Sequence, residues 1–399
     1  MKTCIYCGRE KKEFEFDRPE HIWPQAIGVS NSPKIFVTND VCGYCNNKCG
    51  LHVDGAFLKG YFSHQERSRH HHAFLNPDKP AAFPLFYLGV ETDFPCQDDE
   101  QCDRYAGAAG EHIRHVRRKT DEDWWAYVGG DPKRQSRRGR IYVNLTADHP
   151  YWVITAALSV RKIFPKCHRV CLTDIVGDMD FTPFWESRDG VVAQSHPNEV
   201  RHILDEVGTV SLRAAIQVDF TSRFLCKVAL GLGCQILGIN FLESEAAKRF
   251  REVLWKKDYT ERSKSSIRGT GFSLGVNGNF AKVAAVDDCW TLLINVVNGC
   301  LSLTIFHPSG NFSSLPISDD PELISKADQS FINGAVFVVC PALNFFSDAI
   351  PSTKFLLWKQ GFLQLPELDR VVSLRISLDD LPPKMAKDDP ALTLELGNT

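Results

Sequence analysis

The sequence predicts an α+β protein in which a small N-terminal module precedes a mixed α/β body with a β-rich C-terminal part. Three observations support this fold class. Two Cys-x2-Cys pairs lie within the first 45 residues. The strongly apolar run Phe220–Leu237 has the length of a buried helix, and short apolar runs separated by turn residues begin after Gly271.

The predicted boundaries divide the 399 residues into four parts. Residues 1–60 form a module that we call the cysteine module, and residues 61–265 form a mixed α/β accessory domain. Residues 266–380 are the β-rich C-terminal part of the body, and we expect residues 381–399 to be a flexible tail. The net charge of −3 excludes nucleic-acid binding through overall charge, so any such surface must be local.

Within the cysteine module, Pro and Gly divide residues 13–41 into two short strands joined by a loop around Gly28 to Pro33. A helix is predicted to begin near Cys45 and to continue through Tyr61. The expected order of elements is therefore strand, strand, helix.

In the body, hydrophobic periodicity predicts a strand over Phe83–Val90, followed by an acidic, irregular segment over 91–111. The run Phe220–Leu237 is the predicted central buried helix. The remaining predicted helices are Tyr151–Phe164, Asn198–Val207 and Glu243–Trp255, and the remaining predicted strands are Arg140–Thr146, Val283–Cys289, Trp290–Val297, Leu301–Phe306 and Ala335–Val339.

Fourteen cysteines raise the question of disulfides. The chain begins Met1-Lys2-Thr3-Cys4, without the apolar segment of a secretory signal, so we expect a reduced, cytoplasmic protein. In that compartment Cys-x2-Cys pairs favour metal over disulfide, and two pairs supply the four thiolates of a tetrahedral structural zinc site. The predicted zinc ligands are Cys4, Cys7, Cys42 and Cys45.

The loop between the two cysteine pairs contains the residues that favour catalysis over a purely structural zinc ribbon. Glu20 and His21 are adjacent, and Asn46 directly follows the last cysteine. Carboxylate and amide oxygens suit Mg²⁺ or Mn²⁺ better than zinc, and imidazole near neutral pH suits the deprotonation of water. Ideal strand neighbours point to opposite faces, so Glu20 and His21 serve one site only if the strand ends or twists there.

The pattern C-x2-C, E-H-I-x-P, V-C-x2-C-N over about the first 55 residues resembles the HNH endonuclease superfamily, or ββα-metal nucleases. The resemblance is to the branch with four zinc cysteines and Asn in the last signature position. It implies that His21 is the general base, Glu20 the metal-binding acid and Asn46 the second metal ligand. The middle Asn of the signature corresponds to Asn39, with Asn31 as the alternative.

Many members of this superfamily carry a further ligand one helical turn after the final Asn. Here that position is Gly50, which has no side chain to bind a metal. Asn47, His52 and Asp54 lie nearby, but off that face. We therefore expect Glu20, Asn46, water and the phosphate itself to hold the metal, as is usual for Mg²⁺.

Basic residues outside the signature are candidates for contact with nucleic acid. Arg67 and Arg69 lie just beyond the predicted helix, and a stretch with five cations and no acid spans Lys133–Arg140. A solvated loop is the alternative interpretation of that stretch. The candidates for nucleic-acid binding are Arg67, Arg69, Lys133, Arg134, Arg137 and Arg138.

The sequence and the resemblance together predict a metal-dependent endonuclease that hydrolyses phosphodiester bonds of DNA, with structural Zn²⁺ and catalytic Mg²⁺ or Mn²⁺. Defence against foreign DNA is a role suggested by analogy alone. The alternatives are a non-catalytic zinc module that binds nucleic acid or protein, and a nuclease effector gated by a ligand of the body. We expect DNA as the partner and no membrane. The oligomeric state stays open, with a homodimer as one option.

Overall fold

The computed structural model describes residues 1–27, 31–70, 73–74, 82–120, 139–146, 150–164, 167–171, 175–176, 179–180, 219–256, 267 and 283–374. Contacts divide the chain into two compact units. Unit 1 comprises Met1–Leu58, Arg69–Phe74 and Gln217–Arg375, and unit 2 comprises Lys59–Ser68, Leu75–Ile216 and Ile376–Thr399. The predicted domain boundaries stay a prediction, but unit 1 combines the cysteine module with the C-terminal part of the chain.

The elements are numbered in chain order. The strands are β1 (Lys2–Thr3), β2 (Glu10–Lys11), β3 (Glu20–His21), β4 (Val37–Thr38), β5 (Phe86–Glu91), β6 (Glu100–Ala106), β7 (Glu111–Arg118), β8 (Arg140–Leu145), β9 (His168–Cys171), β10 (Ile175–Val176), β11 (Met179–Asp180), β12 (Trp290–Val297), β13 (Cys300–Phe306), β14 (Phe312–Ser318), β15 (Ala335–Cys340), β16 (Phe345–Phe346) and β17 (Ile350–Pro351). The α-helices are α1 (Gly43–Cys49), α2 (Gly55–Lys59), α3 (Tyr61–Arg69), α4 (Pro150–Ile163), α5 (Asp219–Leu237), α6 (Glu245–Trp255), α7 (Pro321–Ser325), α8 (Gln329–Ile332), α9 (Ser352–Lys359) and α10 (Pro366–Ser373). A π-helical turn, Gly50–Asp54, joins α1 to α2.

The cysteine module has the predicted order of strand, strand and helix. Strands β3 and β4 pair antiparallel, with Glu20 opposite Thr38 and His21 opposite Val37. Helix α1 begins directly after Cys42. A further hairpin, β1 with β2, precedes this ββα arrangement. The α+β fold class is confirmed, and residues 28–30 of the predicted loop lie outside the described residues.

The rest of unit 1 is built around an antiparallel sheet in the order β14-β13-β12-β15-β16, with β17 also paired to β15. Helix α5 matches the predicted central helix, and 83% of its most apolar window is buried. Its length and composition would also suit a membrane span, but such burial is what the core helix of a globular unit shows. Strands β12, β13 and β15 were predicted closely. The prediction of a strand over Val283–Cys289 was wrong, because residues 283–284 are helical and the rest forms a turn and irregular chain before β12.

One apolar core joins the cysteine module to α5 and to the sheet. The buried ring of Trp23 packs edge-on against Phe224 of α5 at 5.7 Å and against Trp290 of β12 at 5.6 Å. Phe57 stacks on Phe224 at 4.0 Å. Burying three or four large aromatic side chains stabilises this junction by about 1.5–3 kcal/mol for each ring.

Helix α5 approaches the cysteine module closely at Gly231. A Cβ atom at this position would lie 2.6 Å from Cγ1 of Ile22, so the helix reaches its position because the residue has no side chain. Ile22 directly follows β3, and Lys227 lies one helical turn before Gly231 on the same side of α5. The glycine therefore also sets how near Lys227 comes to β3.

Unit 2 contains a five-stranded sheet in the order β5-β6-β7-β8-β9, in which β8 and β9 are parallel and the other pairs antiparallel. Side chains of this sheet, among them Tyr105, Ile113 and Val143, form one core with Val153 and Val160 of α4. Helix α4 and strands β5 and β8 agree with the predicted positions.

The prediction of irregular structure over 91–111 was wrong, because β6 occupies much of it. Its buried residue Asp103 pairs with Arg117 of the neighbouring strand β7, and Arg114 of β7 pairs with Glu91 of β5 at 2.8 Å. Buried charges require such partners, and the apolar alternation that usually indicates a strand is absent. The predicted helix Asn198–Val207 and the predicted tail lie outside the described residues.

Candidate active site in the cysteine module

Four thiols meet at the start of the module. The sulfur atoms of Cys4, Cys7, Cys42 and Cys45 all lie within 4.8 Å of one another. The turn after β1 brings the first pair together, with Cys4 N–H donating to Arg9 O at 3.0 Å and Gly8 N–H to Cys4 O at 2.7 Å. The Cys42 N–H donates to Cys4 Sγ at 3.4 Å, which links the two pairs.

The donor set fits zinc, since four converging sulfur ligands are the usual structural zinc site. Cys4, Cys42 and Cys45 are buried, while Cys7 is partly exposed. Hydrogen bonds from the Cys4 and Cys45 thiols lower the pKa of Cys7, whereas hydrogen bonds with Cys4 and Cys7 raise the pKa of Cys45, so the sulfur atoms interact strongly with one another. Within the described residues, this is the one group of three or more Cys, His, Asp or Glu side chains that converges in this way.

Glu20 lies on the inner side of β3 and is 4% exposed. Its Oε1 atom is 2.8 Å from the ammonium nitrogen of Lys227 and accepts a hydrogen bond from the Tyr6 hydroxyl at 3.3 Å. Burial, followed by the nearby negative charge of Glu20, raises the pKa of Tyr6 well above its ordinary value, so Tyr6 stays a donor. Two buried side chains, Lys227 and Tyr6, therefore fix one carboxylate oxygen of Glu20, the predicted metal-binding acid.

His21 is the last residue of β3 and is only partly buried. Its Nε2 lies 3.1 Å from Gln25 Nε2, while its Nδ1 is buried and has no hydrogen-bond partner among the described residues. Desolvation lowers the pKa of His21 below 6.5, and Lys227 lowers it further, whereas Glu20 opposes the shift. The imidazole is therefore neutral, and able to accept a proton, at physiological pH.

Asn46 lies near the beginning of β3. Its side-chain Nδ2 donates to Pro19 O at 3.2 Å, which directs Oδ1 away from that carbonyl and leaves it available as a ligand. Asn39 is exposed just after β4, and Lys2 Nζ donates to its main-chain oxygen at 2.9 Å. Asn31 is exposed in the loop, so the identity of the middle signature Asn stays a prediction.

Asp54 and Lys227 are the residues that sequence reasoning missed. Asp54 Oδ2 lies 2.8 Å from Lys227 Nζ, and the buried Oδ1 has no hydrogen-bond partner within the described structure. Asp54 is the last residue of the π-helical turn Gly50–Asp54 and reaches Lys227 from there. Burial raises the pKa of Asp54 to about 6.

Lys227 is completely buried in the middle of α5. Desolvation alone would lower the pKa of its ammonium, but attraction to Asp54, Glu20 and Cys49 outweighs that effect and raises it. The lysine is therefore charged. The available signal was Lys227 in the middle of the mostly apolar run Phe220–Leu237, because a buried cation requires partners.

The residues predicted to contact nucleic acid differ in their exposure. Arg67 is 3% exposed, and its Nη1 donates to Ser63 O at 3.4 Å. Burial lowers the pKa of Arg67 to about 10. The structure therefore does not present Arg67 to a phosphate, whereas Arg69 is exposed at the end of α3. Lys133, Arg134, Arg137 and Arg138 lie outside the described residues.

Residues 4–62 match the family model described as HNH endonuclease. The matched segment includes all four thiols, β3, β4, α1 and the π-helical turn. The match confirms the resemblance found in the sequence of the cysteine module. Searches of curated proteins and of solved structures gave no match to this chain.

Proposed function

We propose that this protein is a metal-dependent endonuclease that hydrolyses phosphodiester bonds of DNA. The observation that carries the proposal is the arrangement inside the matched segment. A thiol cluster fixes the ends of a ββα unit, and this unit places an acid, an imidazole and an amide around the start of one short strand.

In the proposed mechanism, His21 removes a proton from the attacking water, for which its lowered pKa keeps it neutral. Glu20 and Asn46 would hold a divalent Mg²⁺ or Mn²⁺ ion, together with water and phosphate oxygens. Hard oxygen donors fit these ions, and few protein ligands are usual for Mg²⁺. When bound, the ion supplies charge stabilisation at the scissile phosphate. The expected products carry 5′-phosphate and 3′-hydroxyl ends.

The test is cutting of supercoiled plasmid by the zinc-loaded full chain in Mg²⁺ or Mn²⁺, with EDTA as the metal-free control. His21→Ala should abolish cutting while zinc content and circular dichroism stay unchanged. His70→Ala is the matched control, since His70 is another partly buried histidine of unit 1 and lies outside the signature. Equal cutting by the wild type and His21→Ala would remove His21 from the mechanism.

A second candidate function, a non-catalytic zinc module, is favoured by one observation. The Glu20 carboxylate is buried and neutralised by Lys227, as in a purely structural ion pair. Under this alternative the protein binds nucleic acid or a protein partner and cuts neither DNA nor RNA at any metal concentration. The plasmid experiment separates the two, and single-stranded DNA and RNA added as further substrates test the choice of DNA.

We also propose that the enzyme works in the cytoplasm and that its role is defence against foreign DNA. Support comes from the cysteine usage and from analogy with other proteins that join an HNH module to a larger body. Phage plaque counts on cells expressing the wild type or His21→Ala test this role. Equal counts would argue against it.

A further inference from the structure

The ammonium of Lys227 meets three oxygen atoms of the cysteine module. Glu20 Oε1 and Asp54 Oδ2 each lie 2.8 Å away, and the main-chain oxygen of His21 accepts a hydrogen bond at 3.0 Å. Asp54 is 173 and His21 is 206 residues from Lys227 along the chain. The tertiary fold of unit 1, rather than the module alone, therefore creates this arrangement.

Building on the nuclease function proposed above, we propose that Lys227 is a positioning residue of the active site. It holds the Glu20 carboxylate and the His21 main chain in place from the buried side of β3. Strand β3 ends at His21, and Lys227 contacts the side chain of Glu20 but only the main-chain oxygen of His21, so it fixes the acid without contacting the imidazole. Lys227 is 0% exposed, so it acts through these residues and does not touch DNA.

The hydrogen-bonding capacity of the Lys227 ammonium matches the oxygen atoms around it. A lysine ammonium has three N–H donors, and here three oxygen atoms surround it. Lys227 and Tyr6 both use Oε1 of Glu20, so Oε2 is the atom left for a divalent ion. Asp54 adds a second carboxylate beside the ammonium and attaches the π-helical turn to the same point. Loss of Lys227 would release all three segments at once.

The test compares Lys227→Met with Arg223→Met in the zinc-loaded full chain. Methionine keeps the length and apolar character of the side chain. Arg223 is a matched buried cation one turn earlier on α5, and its guanidinium donates to Leu254 O at 3.0 and 3.1 Å. Each substitution is also combined with Glu20→Gln, which gives two double-mutant cycles.

Two quantities are measured on folded protein. The first is the rate constant of cutting at saturating DNA, together with the KM for DNA. The second is Mn²⁺ affinity without DNA, followed by electron paramagnetic resonance, which does not depend on activity. Lys227→Met should lower the rate constant or the Mn²⁺ affinity by about 10- to 100-fold, the usual effect of losing a residue that orients a metal ligand. The KM for DNA should change less than about twofold, because only the catalytic step depends on Lys227.

The double-mutant cycle with Glu20→Gln distinguishes a positioning role of Lys227 from a purely structural one. The quantity compared is the Mn²⁺ affinity of the single and double variants. If Lys227 acts through Glu20, adding Lys227→Met to Glu20→Gln causes little further loss of Mn²⁺ affinity. Effects that multiply, as expected for Arg223→Met, would overturn the proposal. If Lys227→Met loses zinc or helix content, the double variant Lys227→Met/Asp54→Asn is tested instead. It removes the Asp54 charge together with the Lys227 charge, so only Glu20 keeps a buried charge without a partner.

The outcomes separate this inference from the proposed function. Inactive wild-type protein would contradict the nuclease function, and the Mn²⁺ measurements would still decide whether Lys227 positions Glu20. Active wild type with unchanged rate and Mn²⁺ affinity in Lys227→Met would contradict only the positioning role.

Discussion

The thiol site and the acid site lie in the same small module, but the protein builds them differently. The four thiols come from residues 4–45, and local turns hold them. The acid site instead depends on Lys227, whose helix belongs to a distant part of the sequence. The thiol cluster, which fits zinc, thus holds the ends of the module together, while the position of Glu20 depends on the surrounding fold.

The cysteine module is therefore not structurally independent of the rest of unit 1. Its Trp23 ring lies in the same core as α5 and β12, and Gly231 allows α5 to approach within contact of Ile22. A change in the position of α5 would therefore reach Glu20 and His21 directly through Lys227. The thiol cluster and the Glu20–Lys227 pair should therefore respond differently to substitution.

Substitution of a zinc ligand should have the largest effect. Cys42→Ser should abolish zinc binding and unfold the cysteine module, since zinc contributes about 10–16 kcal/mol to folding in small zinc-stabilised peptides. Zinc content and limited proteolysis measure this loss. Cys300→Ser, which changes a cysteine outside the cluster, should keep both. A folded Cys42→Ser protein would mean that the core with α5 holds the module without zinc.

Removal of the buried cation should have the next largest effect. Lys227→Met should lower the free energy of unfolding by about 3–5 kcal/mol, because Glu20 and Asp54 then keep buried charges without a partner. Chemical denaturation followed by fluorescence measures it. A change below about 1 kcal/mol, the range of exposed ion pairs, would show that water already screens the site.

A methyl group at the closest approach of α5 should have a moderate effect. Gly231→Ala should destabilise the protein by about 1–3 kcal/mol through overpacking, since its Cβ would collide with Ile22. It should also reduce cutting, because the collision moves Lys227 away from β3. Gly50→Ala is the control, as a Cβ there meets open space. Equal stability of the two variants would show that the contact relaxes without strain.

The pH profile should show the smallest effect. Burial lowers the pKa of His21 below 6.5, and the general base must be neutral to accept a proton. As the pH falls, cutting should therefore persist through 6.5 and decline only below it. Initial rates from pH 5 to pH 8 at constant ionic strength measure the midpoint. A midpoint above 6.5 would mean that Glu20, rather than burial, governs the imidazole.

The sequence predicted what depends on local patterns and missed what depends on distant pairing. The thiol spacing, the apolar run of α5 and the alternation of β12 and β13 each carry their own signal. Strand β6 was missed because Asp103 faces the interior, where Arg117 neutralises it. The pair of Asp54 with Lys227 was missed because the two residues are 173 positions apart in the sequence, and a π-helical turn leaves no clear pattern there.

The most direct test of this account is the anomalous X-ray signal of Mn²⁺ in crystals of zinc-loaded His21→Ala with a bound DNA duplex. We expect a manganese peak coordinated by Glu20 and Asn46, beside a phosphate, with Lys227 still paired to Glu20. A peak away from both residues, or DNA bound without any manganese at Glu20, would contradict it.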